Sequence, residues 1–145
     1  MQPSQNGNVF YGIYNSGKMS INLESAEPFY KALNRVLHIY IVPRSMIERF
    51  NNGRGCGLIV DTVRYGMERR KYVMYIAEDL PHSERLITIA HELIHLILTM
   101  QGFSFEQQWL DEKSESWIEG IAKRFYQANP GFLDWVYKSE ARITG

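Results

Sequence analysis

Residues 83–100 constrain the fold more than any other stretch of this chain. Leu86, Ile89, Ala90, Leu93 and Ile97 recur at helical spacing as one apolar stripe, and Ile87, Ile94 and Leu98 carry the apolar surface around the other side. A helix that is apolar nearly all round has to be buried. Yet its middle reads His91-Glu92-Leu93-Ile94-His95, and two imidazoles and a carboxylate are costly in a core unless paired or bound to metal. The fold must therefore surround this helix and supply partners for those three side chains. The stretch is shorter than a membrane span and its ionisable groups are disfavoured in lipid, so no membrane partner is expected.

The chain has material for one such enclosure. Of its 145 residues, 45% are hydrophobic and 13% aromatic, enough for one core and hardly two. Residues 25–145 read as a single domain, preceded over residues 1–24 by a flexible arm or loose hairpin rich in Asn, Gly and Ser. Lys plus Arg number 16 and Asp plus Glu 16; a neutral chain lacks the charge that drives non-specific nucleic-acid binding, and no DNA or RNA partner is expected. Cys56 is the only cysteine, which excludes an internal disulfide or a thiolate cluster and suits a reducing compartment, so the cytoplasm is the expected location. No signal peptide is readable at the start.

Periodicity and punctuation outline the elements. A helix is expected over residues 26–37, with Ser25 as cap and Pro28 in the first turn. A strand over 38–42 is stopped by Pro43, and a short helix over 44–50 by Asn51-Asn52-Gly53. Strands over 57–64 and 71–77 flank a polar turn at 65–70. Ser83 is the expected N-cap of the long helix and Gly102 its C′ residue. A loop with a turn of helix from Ser104 follows, then a helix capped by Asp111 that reaches about residue 128. Asn129 caps and Pro130 opens a last helix carrying Phe132, Leu133, Val136 and Tyr137. Helix, strands, then three helices make an α+β fold: a small twisted sheet packed on the long helix, with further helices toward the C-terminus.

Histidines four apart stand one turn above each other on one helix face, so both imidazoles reach a single ion. Zinc suits such a pair, with a third protein ligand and one position left for water. Glu92, adjacent in sequence, is then the general base that takes a proton from water. The plain alternative is a core helix that contains these letters by chance, without metal.

The third ligand is expected from another helix. In Glu115-Ser116-Trp117-Ile118-Glu119-Gly120-Ile121-Ala122 two acids stand four apart on one face. Glu115, 20 residues after His95, lies nearer the centre of the stripe formed by Ile118, Ile121, Ala122 and Phe125. Glu119, 24 residues after His95, is flanked by the small residues Gly120 and Ala122, which permit close helix approach. Spacing leaves both acids open.

Residues 86–98 with the strand and the Asp79-Leu80-Pro81 loop before them resemble the zinc-metallopeptidase domain of the ImmA/IrrE family, a gluzincin family with a zincin-like fold. The similarity spans roughly residues 33–128. Glu119, Ala122 and Phe125 match the spacing of that family's downstream helix, and Trp117-Ile118-Glu119-Gly120-Ile121-Ala122 is similar to the Trp-Leu-x-Glu-Gly-x-Ala stretch of aminopeptidase-type gluzincins. The resemblance implies zinc held by His91, His95 and Glu119, with Glu115 orienting an imidazole from the second shell, and Glu92 as the catalytic base. It also implies peptide-bond hydrolysis, a peptide or protein substrate such as a transcriptional repressor, and a substrate lying along the strand at 71–77. Ile94 stands where the family usually has glycine, and Tyr126-Gln127-Ala128-Asn129-Pro130 replaces its Leu-Leu-Met-Pro continuation. The rival function is a catalytically silent zincin-fold domain that binds another protein.

Four features are read as ordinary. His82 is taken as solvated, Tyr126 as core, Cys56 as a small residue between two glycines, and the basic residues Arg64, Arg69, Arg70 and Lys71 as a solvated hairpin tip.

Overall fold

Two β-branched, alternating runs build the sheet, and the long apolar helix packs against it. The computed structural model describes residues 9–11, 20–50, 55–61, 71–102 and 112–143. In chain order the elements are β1 (Val9–Tyr11), β2 (Ser20–Asn22), α1 (Ala26–Leu33), β3 (Val36–Val42), α2 (Arg44–Phe50), β4 (Gly57–Asp61), β5 (Tyr72–Ala77), α3 (His82–Met100), α4 (Glu112–Ala128), α5 (Pro130–Glu140) and β6 (Ala141–Ile143). The class is α+β. β1 pairs with β2 antiparallel. The expected turns at 51–53 and 65–70 with most of the basic cluster, the turn of helix from Ser104 and the cap at Asp111 lie outside the described residues, as does much of the arm.

The main sheet has the order β4-β5-β3-β6. β3 and β5 run parallel, with Ile39 opposite Met74 and Ile41 opposite Ile76; β4 is antiparallel to β5, with Ile59 opposite Met74 and Gly57 opposite Ile76. These residues share one buried face. α3 packs against β4 and β5 and also against α1, α4 and α5. Eleven of its nineteen residues are buried, as an all-round apolar surface demands. Phe29 of α1 stacks on Phe125 of α4 with centroids 3.7 Å apart, and Phe132 of α5 meets both rings edge-on, joining the three outer helices.

The structure departs from the sequence expectations at five places. α1 stops at Leu33 rather than residue 37: the backbone N–H groups of Asn34 and Arg35 bond back to Tyr30 and Ala32, and the Arg35 carbonyl then accepts from Tyr72 N–H, committing Val36 and Leu37 to the sheet. The Ser25 cap is present, its hydroxyl accepting from Glu27 N–H at 3.3 Å. α3 begins at His82, with Pro81 in the cap position and no side-chain cap; Ser83 is already helical. Its other end is as expected, Gly102 taking φ +104° and donating to the Thr99 carbonyl. Asn129 does not cap α5 with its side chain, because its amide donates to the carbonyls of Glu24 and Phe125.

The fourth departure is β6, three residues that join β3 in parallel. A strand this short leaves too little alternation to read in sequence. The fifth concerns β5, which is hydrogen-bonded on both sides and therefore has no free edge to offer a substrate. That edge belongs to β4, which among the described residues pairs only with β5. No described helix is long and apolar enough to cross a membrane.

Candidate metal centre

His91, Glu92 and His95 all lie on the central turns of α3, and the 3.6-residue period aims both imidazoles at α4 with centroids 5.0 Å apart. Glu115 comes to meet them. One of its oxygens lies 2.6 Å from Nε2 of His91 and the other 3.2 Å from Nε2 of His95. Glu119, one turn further along α4, lies 2.9 Å from the opposite nitrogen of His91, Nδ1. Glu115 thus stands between the two imidazoles and Glu119 behind one of them. The close packing of α3 on α4 through Ile118, Ile121, Ala122 and Phe125, all buried, holds this register.

One donor atom each from His91, His95 and Glu115 fall within 4.8 Å of one another. Two nitrogens and a carboxylate oxygen are a donor set that zinc accepts, so the residues present fit such an ion. Burial alone would pull the His91 imidazole down, but its hydrogen bonds to Glu115 and Glu119, with the charge of Glu92, lift it to about 10. Burial pushes Glu115 up, yet the two histidines outweigh it and hold the carboxyl well below its usual range. Glu119 is lowered chiefly by its hydrogen bond to His91. Glu92 behaves oppositely: only 6% exposed, it is raised by burial despite the two imidazoles.

These side chains line an open cleft of about 640 Å³ together with Gly55, Cys56 and Gly57 at the start of β4 and Ser116 and Lys123 on α4. Gly57 opens β4, and a glycine in that position signals close approach. A Cβ there would sit 2.5 Å from Cγ2 of Thr88 and 3.2 Å from Oε2 of Glu92, so its absence lets β4 close over the glutamate. Lys123 was missed in the sequence; its signal was the four-residue spacing from Glu119.

The residues read as ordinary divide. Tyr126 is partly buried against the core and does not line the cleft. Cys56 is exposed on the cleft wall, its sulfur 3.7 Å from the Arg44 guanidinium. Arg44 also grips Asp79 with two hydrogen bonds of 2.8 and 2.9 Å. His82 is not merely solvated: its Nε2 lies 3.0 Å from Asp134 on α5.

An α+β domain with a two-histidine, one-carboxylate cluster in a cleft belongs to the class of candidate metallohydrolases. The profile of the IrrE N-terminal-like domain family matches residues 46–125, more than half of the chain, and the chain belongs to this family, one of metallopeptidases. The matched span contains all five cluster residues. No curated protein and no solved structure matches.

Proposed function

We propose that the chain is a zinc-dependent peptidase in which His91, His95 and Glu115 hold the metal, Glu119 orients His91, and Glu92 is the general base. The reading is carried by the convergence of both Nε2 atoms on the two oxygens of Glu115, beside a buried glutamate in an open cleft. The sheet packed on the histidine-bearing helix supports a zincin-like arrangement. A bound zinc ion supplies Lewis acidity, lowering the pKa of water and polarising a carbonyl.

The chain's own groups do the rest. Glu92 takes the proton of the attacking water and passes it to the leaving amine. Glu119 accepts a hydrogen bond from Nδ1–H of His91 and so favours the tautomer whose Nε2 lone pair faces the metal site. The outer edge of β4, rather than β5, is the platform along which an extended peptide adds as a further strand. The substrate is a peptide or protein; transcriptional repressors, which the resemblance implies, are the first class to screen.

Elemental analysis of the purified protein beside an identically purified His91→Ala variant is the test. Near-stoichiometric zinc, lost in the variant, is expected. Absence of zinc from both after reconstitution would return the motif to a packing role. Zinc without hydrolysis of any screened protein would favour the rival, a silent binding domain.

A further inference from the structure

We propose that Lys123 forms the cationic end of a substrate subsite, one that accepts a carboxylate two or three residues from the bond cleaved. The inference deepens the peptidase reading and rests on it. Glu115, Glu119 and Lys123 succeed one another at four-residue intervals on α4, so they form one stripe along the helix. Glu115 touches both His95 and His91, whereas Glu119 touches only His91. The stripe therefore runs along α3 toward its N-terminus, where Thr88, Ile87 and Glu84 continue the wall of the same cleft as Lys123.

The cleft thus extends past the metal cluster. Four helical residues advance about 6 Å, so Lys123 stands about 12 Å along α4 from Glu115. A lysine stem reaches back over part of that distance, and an extended peptide covers about 3.3 Å per residue. The ammonium consequently falls opposite the second or third substrate residue. Ile87 and Leu80 supply the apolar floor of this arm.

Charge selects what the arm takes. Among the described residues lining the cleft, Lys123 is the lone Lys or Arg side chain. Among the described residues none forms an ion pair with it within 4 Å; Glu119, which hydrogen-bonds His91, feels its charge from further away. Glu84, exposed on the α3 wall, repels an acid placed on its own side and so favours the α4 side. A substrate carboxylate comes from an Asp or Glu side chain or from a free C-terminus.

The experiment uses the full chain. The best-cleaved member of a randomised library of quenched fluorogenic decapeptides is remade with Glu, Gln or Lys at each of the three positions on either side of the scissile bond, and with a free or amidated C-terminus. Cleavage is measured for the natural protein, Lys123→Met and Lys123→Glu, with metal content assayed alongside. In parallel, Glu92→Gln protein with and without Lys123→Met is titrated with fluorescein-labelled decapeptide pools rich in Glu or in Gln, a binding readout independent of turnover.

A preference of about tenfold for a carboxylate, expressed in KM, levelled by Lys123→Met and turned toward Lys by Lys123→Glu, is expected. Loss of that preference on amidation alone would assign the carboxylate to a free C-terminus; its persistence would assign it to a side chain. Indifference of the natural protein to Glu against Gln and to amidation overturns the subsite, as does an equal preference in Lys123→Met. If no peptide is cleaved, the peptidase reading falls separately, and the titration still decides: tighter binding of the Glu pool that Lys123→Met abolishes keeps the carboxylate site, and equal binding removes it.

Discussion

Nδ1 of His91 lies 2.9 Å from Oε1 of Glu119, on the far side of the ring from the nitrogen that meets Glu115. The two acids, one helical turn apart, therefore have different tasks on the same imidazole. On the proposed assignment, removing Glu115 takes away a ligand, whereas removing Glu119 only loosens the orientation of the ring. Glu115→Ala is expected to lose most zinc affinity, and Glu119→Ala to weaken it about 10- to 100-fold. Chelator-competition titrations of the two variants decide between them; the opposite ranking would restore Glu119 as the ligand.

Glu92 is buried and feels the charges of His91, His95, Glu115 and Glu119, so replacing it by an isosteric amide removes the proposed base while leaving the packing. Glu92→Gln should keep its zinc and its melting temperature and lose hydrolysis by several orders of magnitude. Equal turnover by the variant and the natural protein would exclude Glu92 as the base.

The pairing of chemistry with fold was legible where a strong local pattern coincided with burial. The all-round apolar surface of residues 83–100 required a central helix, and the histidines at four-residue spacing required one shared face; α3 has both properties. Which acid meets both histidines was not legible, because Glu115 and Glu119 are on one helix face and differ only in how far α4 slides along α3. That offset is set by packing of Ile118, Ile121, Ala122 and Phe125, a tertiary property. The same limit explains α1: helical spacing continues through Val36 and Leu37, but a hydrogen bond from Tyr72 to the Arg35 carbonyl, distant in sequence, takes them into the sheet. β5 read well as a strand, yet its interior position depends on β4 and β3 flanking it, which alternation along one strand does not encode.

Acid should weaken the anchor that holds the Cys56 side of the cleft. The Arg44 guanidinium keeps the Asp79 carboxyl below its ordinary value. A folded-state value below the unfolded one means that the pair contributes above the ordinary carboxylate range, about pH 4, and is lost as pH falls through it, the unfolded chain taking up the proton first. Melting temperatures of the natural protein and Asp79→Asn should therefore differ at neutral pH and draw together as pH falls below the ordinary carboxylate range. A gap that is unchanged across that range would show that the pair does not contribute through its charge.

Gly57 offers the sharpest separation of geometry from chemistry. A methyl group at this position would meet Cγ2 of Thr88 at 2.5 Å and Oε2 of Glu92 at 3.2 Å. Neither the strand nor the buried helix has room to yield freely, so Gly57→Ala should push β4 outward or turn Glu92 aside. Both responses leave His91, His95 and Glu115 untouched, because the two histidines face α4, which carries Glu115. Zinc content should accordingly stay near that of the natural protein while kcat falls about tenfold or more, the cost of moving a catalytic group by a fraction of an ångström to an ångström. Overpacking of this kind also lowers stability by about 1–3 kcal/mol, which a denaturant titration reads independently. A variant with full turnover would show that β4 does not press on the base, and one that loses its zinc would show that the strand supports the metal ligands instead.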